Sequence, residues 1–458
     1  MSDTIVAIST AVGEAGIGIV RLSGKDAIDI GNKVFKGVNG NSLNEGENKK
    51  LNYGHIIDED HKIIDEVLIT YMNGPYTYTR ENMVEIYCHG GIISVKKTLE
   101  LLLSQGARMA EAGEFTKRAF LNGRLDLSQA EAVIDIIKSK TDESYKVSLD
   151  QLEGSLANKV NEIRDILLSM MAHVEASIDF PDEDIEDVTF NELKDDALIV
   201  ENEINKLLST ADRGKVLRDG INTVILGKPN VGKSSLLNAI LRENRAIVTD
   251  IPGTTRDIIE EYANIDGIPL KIIDTAGIRD TDDAVEKIGV NKAKETVRNA
   301  DLIIAVFDGS RDLTDEDHKI IDLIKDKQSL LIINKTDLPS RYSIEDFQDL
   351  VQVDNIINTS ITEGIGIDVL EKSIKDMFYS GEIKGESDIV ITNIRHKNQL
   401  EKSLTNINSV IEDISIEMPL DCIEVDLRDC WENLGEISGD TIGEDILDKI
   451  FSEFCIGK

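Results

Sequence analysis

Gly227-Lys-Pro-Asn-Val-Gly-Lys-Ser234 decides the fold. This stretch follows an apolar run, Thr223–Leu226, and opens a helical one, Ser235–Leu241. Its glycines let backbone N–H groups curl around a β-phosphate, and the helix N-terminus behind them adds a favourable dipole. Within Asn230-Val231-Gly232-Lys233-Ser234-Ser235, Lys233 neutralises β/γ oxygens and the Ser234 hydroxyl suits Mg²⁺. A strand–loop–helix of this kind predicts an α/β P-loop domain.

Further elements follow in the order such a domain requires. Thr249-Asp250-Ile251-Pro252-Gly253-Thr254-Thr255 is a polar loop in which Thr255 is the candidate second Mg²⁺ hydroxyl. Asp274-Thr275-Ala276-Gly277 ends the apolar run Leu270–Ile273, which places a carboxylate near the metal and the Gly277 N–H near the γ-phosphate. Asn334-Lys335-Thr336-Asp337 ends another, Leu330–Ile333. Asp337 can accept from both N1–H and N2–H₂ of guanine, and adenine has no proton on N1, so the site selects GTP over ATP. Lys335 can lie along the base plane. The last element, expected as Ser-Ala, is matched only weakly by Asn358-Thr359-Ser360.

The hydrolytic machinery is less explicit. Ile278 stands just after the Gly277 position, where a glutamine would orient water, and it cannot polarise water. Either an external activator or another group does that work. The carboxylate-rich stretch Asp280–Glu286 reads as a catalytic candidate, Glu286, or as a solvated helix start. Arg256 and Arg279 are finger candidates or ordinary surface charge. The Asn230 side-chain amide suits a monovalent cation beside the phosphates, which would supply the electrostatics of an arginine finger.

Outward from this module, strands alternate with helices, as in a mostly parallel sheet covered on both faces. Before it, short β-rich runs (Thr4–Ser9, Gly18–Leu22, Val67–Thr70, Met83–Tyr87) and a helix, Ile92–Gln105, read as α+β, followed by a breaker-poor helical region. Helical texture returns near the end. The expected division is an α+β domain over 1–120, a helical domain in two parts, 121–217 and 381–458, and an inserted GTPase domain over 218–380. The 458 residues carry 50 basic and 86 acidic side chains, a net charge of −36, which argues against broad attraction to nucleic acid or anionic membrane. No apolar run is long enough to span a bilayer, the start lacks a signal peptide's basic region, and the four cysteines form no CxxC pair. A reducing, cytoplasmic setting is expected.

The chain resembles one family, the tRNA modification GTPases MnmE (TrmE). The resemblance rests on Asp3-Thr-Ile-Val-Ala7, Gly16-Ile-Gly-Ile-Val-Arg-Leu-Ser-Gly24 and Glu85-Ile-Tyr-Cys-His-Gly-Gly91. Gly113-Glu-Phe-Thr-Lys-Arg-Ala-Phe-Leu-Asn122, Leu125-Asp-Leu127, Thr249–Asp257 and the terminal Cys455-Ile-Gly-Lys458 extend it over essentially the whole chain. It implies an N-terminal domain like tetrahydrofolate-binding domains, a discontinuous all-α helical domain and an inserted G domain. It also implies a homodimer through the N-terminal domains, with GTP and K⁺ pairing the G domains for hydrolysis. Potassium ligands would be Asn230, Thr249, Ile251 and Thr254, and the catalytic glutamate Glu286. Arg21, Glu85, Arg124 and Lys458 would contact 5-formyl- or methylene-tetrahydrofolate; lysine also occurs in the family at position 124, which keeps the charge but not the geometry.

With the FAD-bearing flavoprotein MnmG, the family adds an aminomethyl-type group to C5 of the wobble uridine of certain tRNAs, presented largely by the partner. Cys455 is tied to that chemistry; by itself a near-terminal thiol reads as inert. A prenylation reading of the end fails on Lys458 and Gly457. A ribosome-assembly GTPase binding rRNA is the competing function. The first 120 residues and the terminal motif favour tRNA modification.

Overall fold

The computed structural model describes residues 3–38, 40–43, 47–179, 186–244, 261–273, 297–325, 327–342, 355–378 and 389–458, with side chains left out at 186–189 and 242–244. Thr249–Thr255, Arg256, Asp274–Gly277, Ile278, Arg279 and Glu286 lie outside the described residues.

The chain begins with β1 (Ile5–Ile8), β2 (Ile17–Ser23), α1 (Ala27–Val34), β3 (Phe35–Gly37), β4 (Asn52–Ile57), β5 (Ile63–Met72) and β6 (Met83–His89). Then come α2 (Ile92–Ser104), β7 (Arg108–Met109) and α3 (Glu114–Leu121). The strands form a seven-stranded sheet of order β3-β4-β5-β6-β2-β1-β7, antiparallel except where β7 joins β1. Alternation gives the sheet two faces. Val20, Leu22, Ile69, Val84 and Ile86 build a core with Val34 of α1 and Leu102 of α2. The register Arg21↔Glu85↔Thr70 places those residues together on the opposite face. The expected runs fall in β1, β2, β5, β6 and α2. The short β3 and half-polar β4 give no alternation strong enough to read.

Next come α4 (Leu127–Lys138), α5 (Asp142–Leu152), α6 (Ser155–Asp179), α7 (Glu186–Leu208) and α8 (Ala211–Asp219). A capping box starts α4: Asp126 Oδ1 accepts from Gln129 N at 3.0 Å, and Gln129 Oε1 from Asp126 N at 3.0 Å.

A second sheet follows, with β8 (Ile221–Leu226), α9 (Lys233–Asn244), β9 (Glu261–Ile265), β10 (Ile268–Ile272) and β11 (Leu302–Asp308). It is completed by α10 (Asp315–Ile324), β12 (Ser329–Asn334), β13 (Ile356–Asn358) and α11 (Ile367–Phe378). Its order is β13-β12-β11-β8-β10-β9, parallel throughout except for the edge strand β9. Ile304, Val306, Leu330 and Ile332 face Leu236 of α9 and Leu370 of α11. Their neighbours Ile303, Phe307, Leu331 and Ile333 face Ile321 and Ile324 of α10. Covering on both faces is why β11 and β12 read as unbroken apolar runs.

The chain ends with α12 (Ile394–Ser415), α13 (Leu420–Ser438) and α14 (Glu444–Ser452). Leu400 and Ile407 of α12 and Leu427 and Leu434 of α13 share one core with Val160 and Leu167 of α6 and Val200 and Ile204 of α7. Helices on either side of the α/β unit thus close into one bundle, and the α/β unit is an insertion in it.

A buried charge cluster fixes the joint. Glu131 of α4 accepts from Arg395 Nε at 2.9 Å and Nη2 at 2.8 Å, and pairs with His396 Nε2 at 2.6 Å. Arg395 also donates to the Glu436 and Ile437 carbonyls at the end of α13. One turn along α4, Asp135 accepts from Arg218 Nε at 2.9 Å, at the end of the helix that leads into β8. Burial opposes charge on Glu131, but His396 and Arg395 more than offset it and hold the carboxyl down at about 2.

Removing one member of a buried pair leaves the others uncompensated. Glu131→Ala is therefore expected to cost about 3–5 kcal/mol, read from urea melts by far-UV circular dichroism. The wild-type contribution is complete above pH 4.5 and fades as pH falls from there towards 2, because the folded pKa is the depressed one. A loss below about 1 kcal/mol would place the cluster among surface-like pairs.

Candidate functional site

The phosphate loop lies between β8 and α9, and its conformation needs glycine. Gly232 has φ +114°, and a Cβ there would meet Asn334 Nδ2 at 2.2 Å. Asn230 adopts the left-handed region at φ +64°. The Lys233 ammonium donates to the Gly227 and Lys228 carbonyls, each at 2.7 Å, which arches the loop over it. Burial lowers its pKa, so an arriving polyanion restores what desolvation removes.

Asn334, at the end of β12, ties three loops together. Its Nδ2 donates to the Val231 carbonyl at 2.8 Å. Its Oδ1 accepts from Thr359 Oγ1 and Ile361 N, both at 3.2 Å. Lys335 stretches across the site, its Nζ donating to the Asn230 carbonyl at 2.9 Å and to Asp308 Oδ2 at 2.6 Å. Thr336 N donates to the Thr359 carbonyl at 3.1 Å. Ser360 Oγ donates to Asp337 Oδ1 at 2.7 Å and so orients the carboxylate expected to read the base.

These residues enclose a cavity of 330 Å³ lined by Asn230, Gly232, Lys233, Ser234, Ser235, Asn334, Lys335 and Asp337, with Ile361 and Thr362. Within Asn230–Ser235 and Asn334–Asp337 every residue lines it except Val231, whose side chain is core, and Thr336, which acts through its backbone; Gly227, Lys228 and Pro229 of the phosphate loop do not line it. Sequence reasoning missed Ile361, Thr362 and Asp308. It placed the last element at Asn358-Thr359-Ser360, whereas the pocket wall is two residues further on. The sign was the hydroxyl pair flanking Ser360-Ile361, obscured because isoleucine stands where alanine was sought.

A second site lies on the N-terminal sheet. Arg21 Nε donates to Glu85 Oε1 at 2.8 Å, and the Tyr87 hydroxyl to Glu85 Oε2 at 2.8 Å. Glu85 and Arg124 line one cleft of 800 Å³ with Tyr76, Tyr78 and Tyr87. Arg124 stacks over the Tyr78 ring at 4.6 Å. The terminal Cys455–Lys458 segment docks beside it: Ile456 bridges Ala112, and Phe115 N donates to the Lys458 carbonyl at 3.2 Å. Gly457 has φ +94°, and a Cβ there would meet the Ile8 carbonyl oxygen at 2.2 Å. Arg21 Nη1 reaches the Gly457 carbonyl at 3.4 Å. One guanidinium therefore touches both Glu85 and the tail that bears the exposed Cys455. Lys458 is positioned by its backbone and is not among the residues lining the cleft.

Residues 4–124 match the family described as GTP-binding protein TrmE N-terminus, and 127–455 match the MnmE helical domain. The chain is 56% identical to a tRNA modification GTPase MnmE of Alkaliphilus oremlandii, over 100% of both chains. It is 55% identical to that of Clostridioides difficile, again over 100% of both. Among solved structures, the G domain of the T. maritima FeoB iron transporter is 21% identical, covering 35% of this chain and 99% of that one, with a TM-score of 0.27. Full-length identity at this level is decisive: the chain belongs to the MnmE (TrmE) family of tRNA modification GTPases.

Proposed function

We propose that this protein hydrolyses GTP and, with a flavoprotein partner, MnmG, adds an aminomethyl-type group at C5 of the wobble uridine of certain tRNAs in the cytoplasm. The observation that carries the GTP reading is the single cavity shared by Asn230–Ser235, Asn334–Asp337 and the Ile361 turn. Asp337, held by Ser360, accepts from guanine N1–H and N2–H₂. Lys335, fixed at both ends by Asn230 and Asp308, flanks the base, and Lys233 meets the β/γ oxygens.

Ser234 and Thr255 are the residues for Mg²⁺, and Asn230, Thr249, Ile251 and Thr254 those for K⁺. The described members fit: Ser234 and Asn230 both line the cavity, Asn230 on a left-handed turn that opens its rim. Bound there, the cations supply positive charge where charge builds up on the phosphates. Glu286 is assigned as the group that orients and deprotonates water, the task Ile278 cannot perform.

The N-terminal cleft is assigned to a reduced folate held by Arg21, Glu85 and Arg124, with Lys458 in the docked tail, and Cys455 to the modification chemistry beside it. A homodimer through this domain is supported by an apolar row on the sheet face that α1 and α2 leave open. The register Tyr53↔Leu68↔Tyr87↔Ile19 puts these side chains on one side, and Tyr53 and Leu68 are 53% and 39% exposed. No helix among the described residues is long and apolar enough to cross a membrane.

Deleting the gene should remove C5 aminomethyl-type uridines from bulk tRNA nucleosides measured by mass spectrometry, with rescue by wild type but not by Asp274→Ala. An unchanged nucleoside profile would move the function to ribosome assembly. GTP turnover should rise at least tenfold when K⁺ replaces Na⁺ at equal ionic strength; equal rates in both salts would remove the cation assignment. Glu286→Ala should lower kcat by two or more orders of magnitude, on the order of 10²–10⁴, while GTP affinity holds within about threefold. A wild-type kcat would return Glu286 to a solvated helix start.

A further inference from the structure

The N-terminal cleft changes character from floor to mouth. At the floor, the carboxylate of Glu85 sits against Arg21 and the Tyr87 hydroxyl. Tyr76 and Tyr78 wall it. At the mouth, Lys49, Arg80 and Arg124 are all exposed. None of these three cations is paired with a carboxylate among the described residues. Lys49 stacks at 5.9 Å from the Tyr76 ring, Arg80 donates to the Asn122 carbonyl at 2.9 Å, and Arg124 donates to the Tyr78 carbonyl at 3.1 Å.

In a chain of net charge −36, this convergence is unusual. The protein's overall field repels a polyanion, and at physiological ionic strength it is screened beyond about 8 Å. Recognition of an anionic ligand then depends on cations gathered within that distance of it. Arg80 is also held at φ +60°, a conformation costly for a side chain of this size, beside Asn122 and Gly123. The cleft's 800 Å³ exceeds what a single bicyclic ring system needs, and lies high in the range of small-molecule sites.

Complementarity runs along the same axis. The floor takes N–H donors, the walls a flat ring, and the mouth a string of carboxylates. We propose that the cleft grips its ligand by a polycarboxylate tail, so that it selects the γ-linked polyglutamate form of a reduced folate over the monoglutamate. Arg124 meets the first glutamate, and Lys49 and Arg80 meet those added beyond it. This rests on the folate assignment above and adds to it the tail that decides affinity. Each added carboxylate faces one cation in a solvent-open setting, where a pair shifts an equilibrium by a factor of a few. Two together give roughly tenfold.

Calorimetry on the full chain with 5-formyltetrahydrofolate as its monoglutamate and as its triglutamate tests this. The triglutamate should bind about tenfold tighter at low salt, which corresponds to about 1.4 kcal/mol, and the gap should narrow as salt rises. In the Lys49→Ala/Arg80→Ala variant, with folding checked by far-UV circular dichroism, the ratio of the two dissociation constants should fall towards one. Equal affinities in the wild type overturn the proposal while leaving the folate site intact, and so does an unchanged ratio in the variant. Failure of both ligands to bind removes the folate assignment itself.

Discussion

The structure depends on a single buried carboxylate with two basic neighbours. Glu131 ties α4, which leaves the N-terminal domain, to Arg395 and His396 at the start of α12, where the chain re-enters the bundle. Arg395 carries the link on to the end of α13. A domain inserted into another leaves two chain crossings to be fixed in register, and apolar packing, being non-directional, fixes register poorly. A charge removed from water demands its partners in one arrangement, so the cluster specifies the joint.

The same helix connects the two sites. Its first residues follow Arg124 and the Asp126 cap, next to the N-terminal cleft. Its far end holds Asp135, which pairs with Arg218 just before β8 and the phosphate loop. Gly214, between these, leaves no room for a side chain: a Cβ would lie 2.1 Å from the Ile391 carbonyl oxygen. Both crossings of the insertion thus press against each other and against α4.

The tail makes a third long-range closure. Residues at the very end of the chain complete the surface of a domain at its beginning, through Ile456 against Ala112 and Gly457 against Ile8. The left-handed glycine is what allows so close an approach. Arg21, shared between Glu85 and the Gly457 carbonyl, links the tail to a carboxylate of the cleft.

The sequence alone was sufficient for the phosphate loop and Asn334–Asp337, because their chemistry is local: glycines that turn, a lysine at fixed spacing, a carboxylate at a strand end. It also revealed the parallel sheet and the bundle, whose buried elements carry unbroken or 3.6-periodic apolar residues. It did not name β3, β4, β7, β13 or the antiparallel edge β9, which are short or half-solvated. The wall at Ile361 and Thr362, the Asp308 anchor of Lys335 and the Ser360 contact to Asp337 were decided only by tertiary structure. So were the cationic mouth of Lys49, Arg80 and Arg124 and the Glu131 cluster. The contacting pairs span from 23 positions, between Ser360 and Asp337, to 265, between His396 and Glu131. No periodicity or spacing links such residues. Only the pairing of strands and the closing of the bundle bring them within reach of one another.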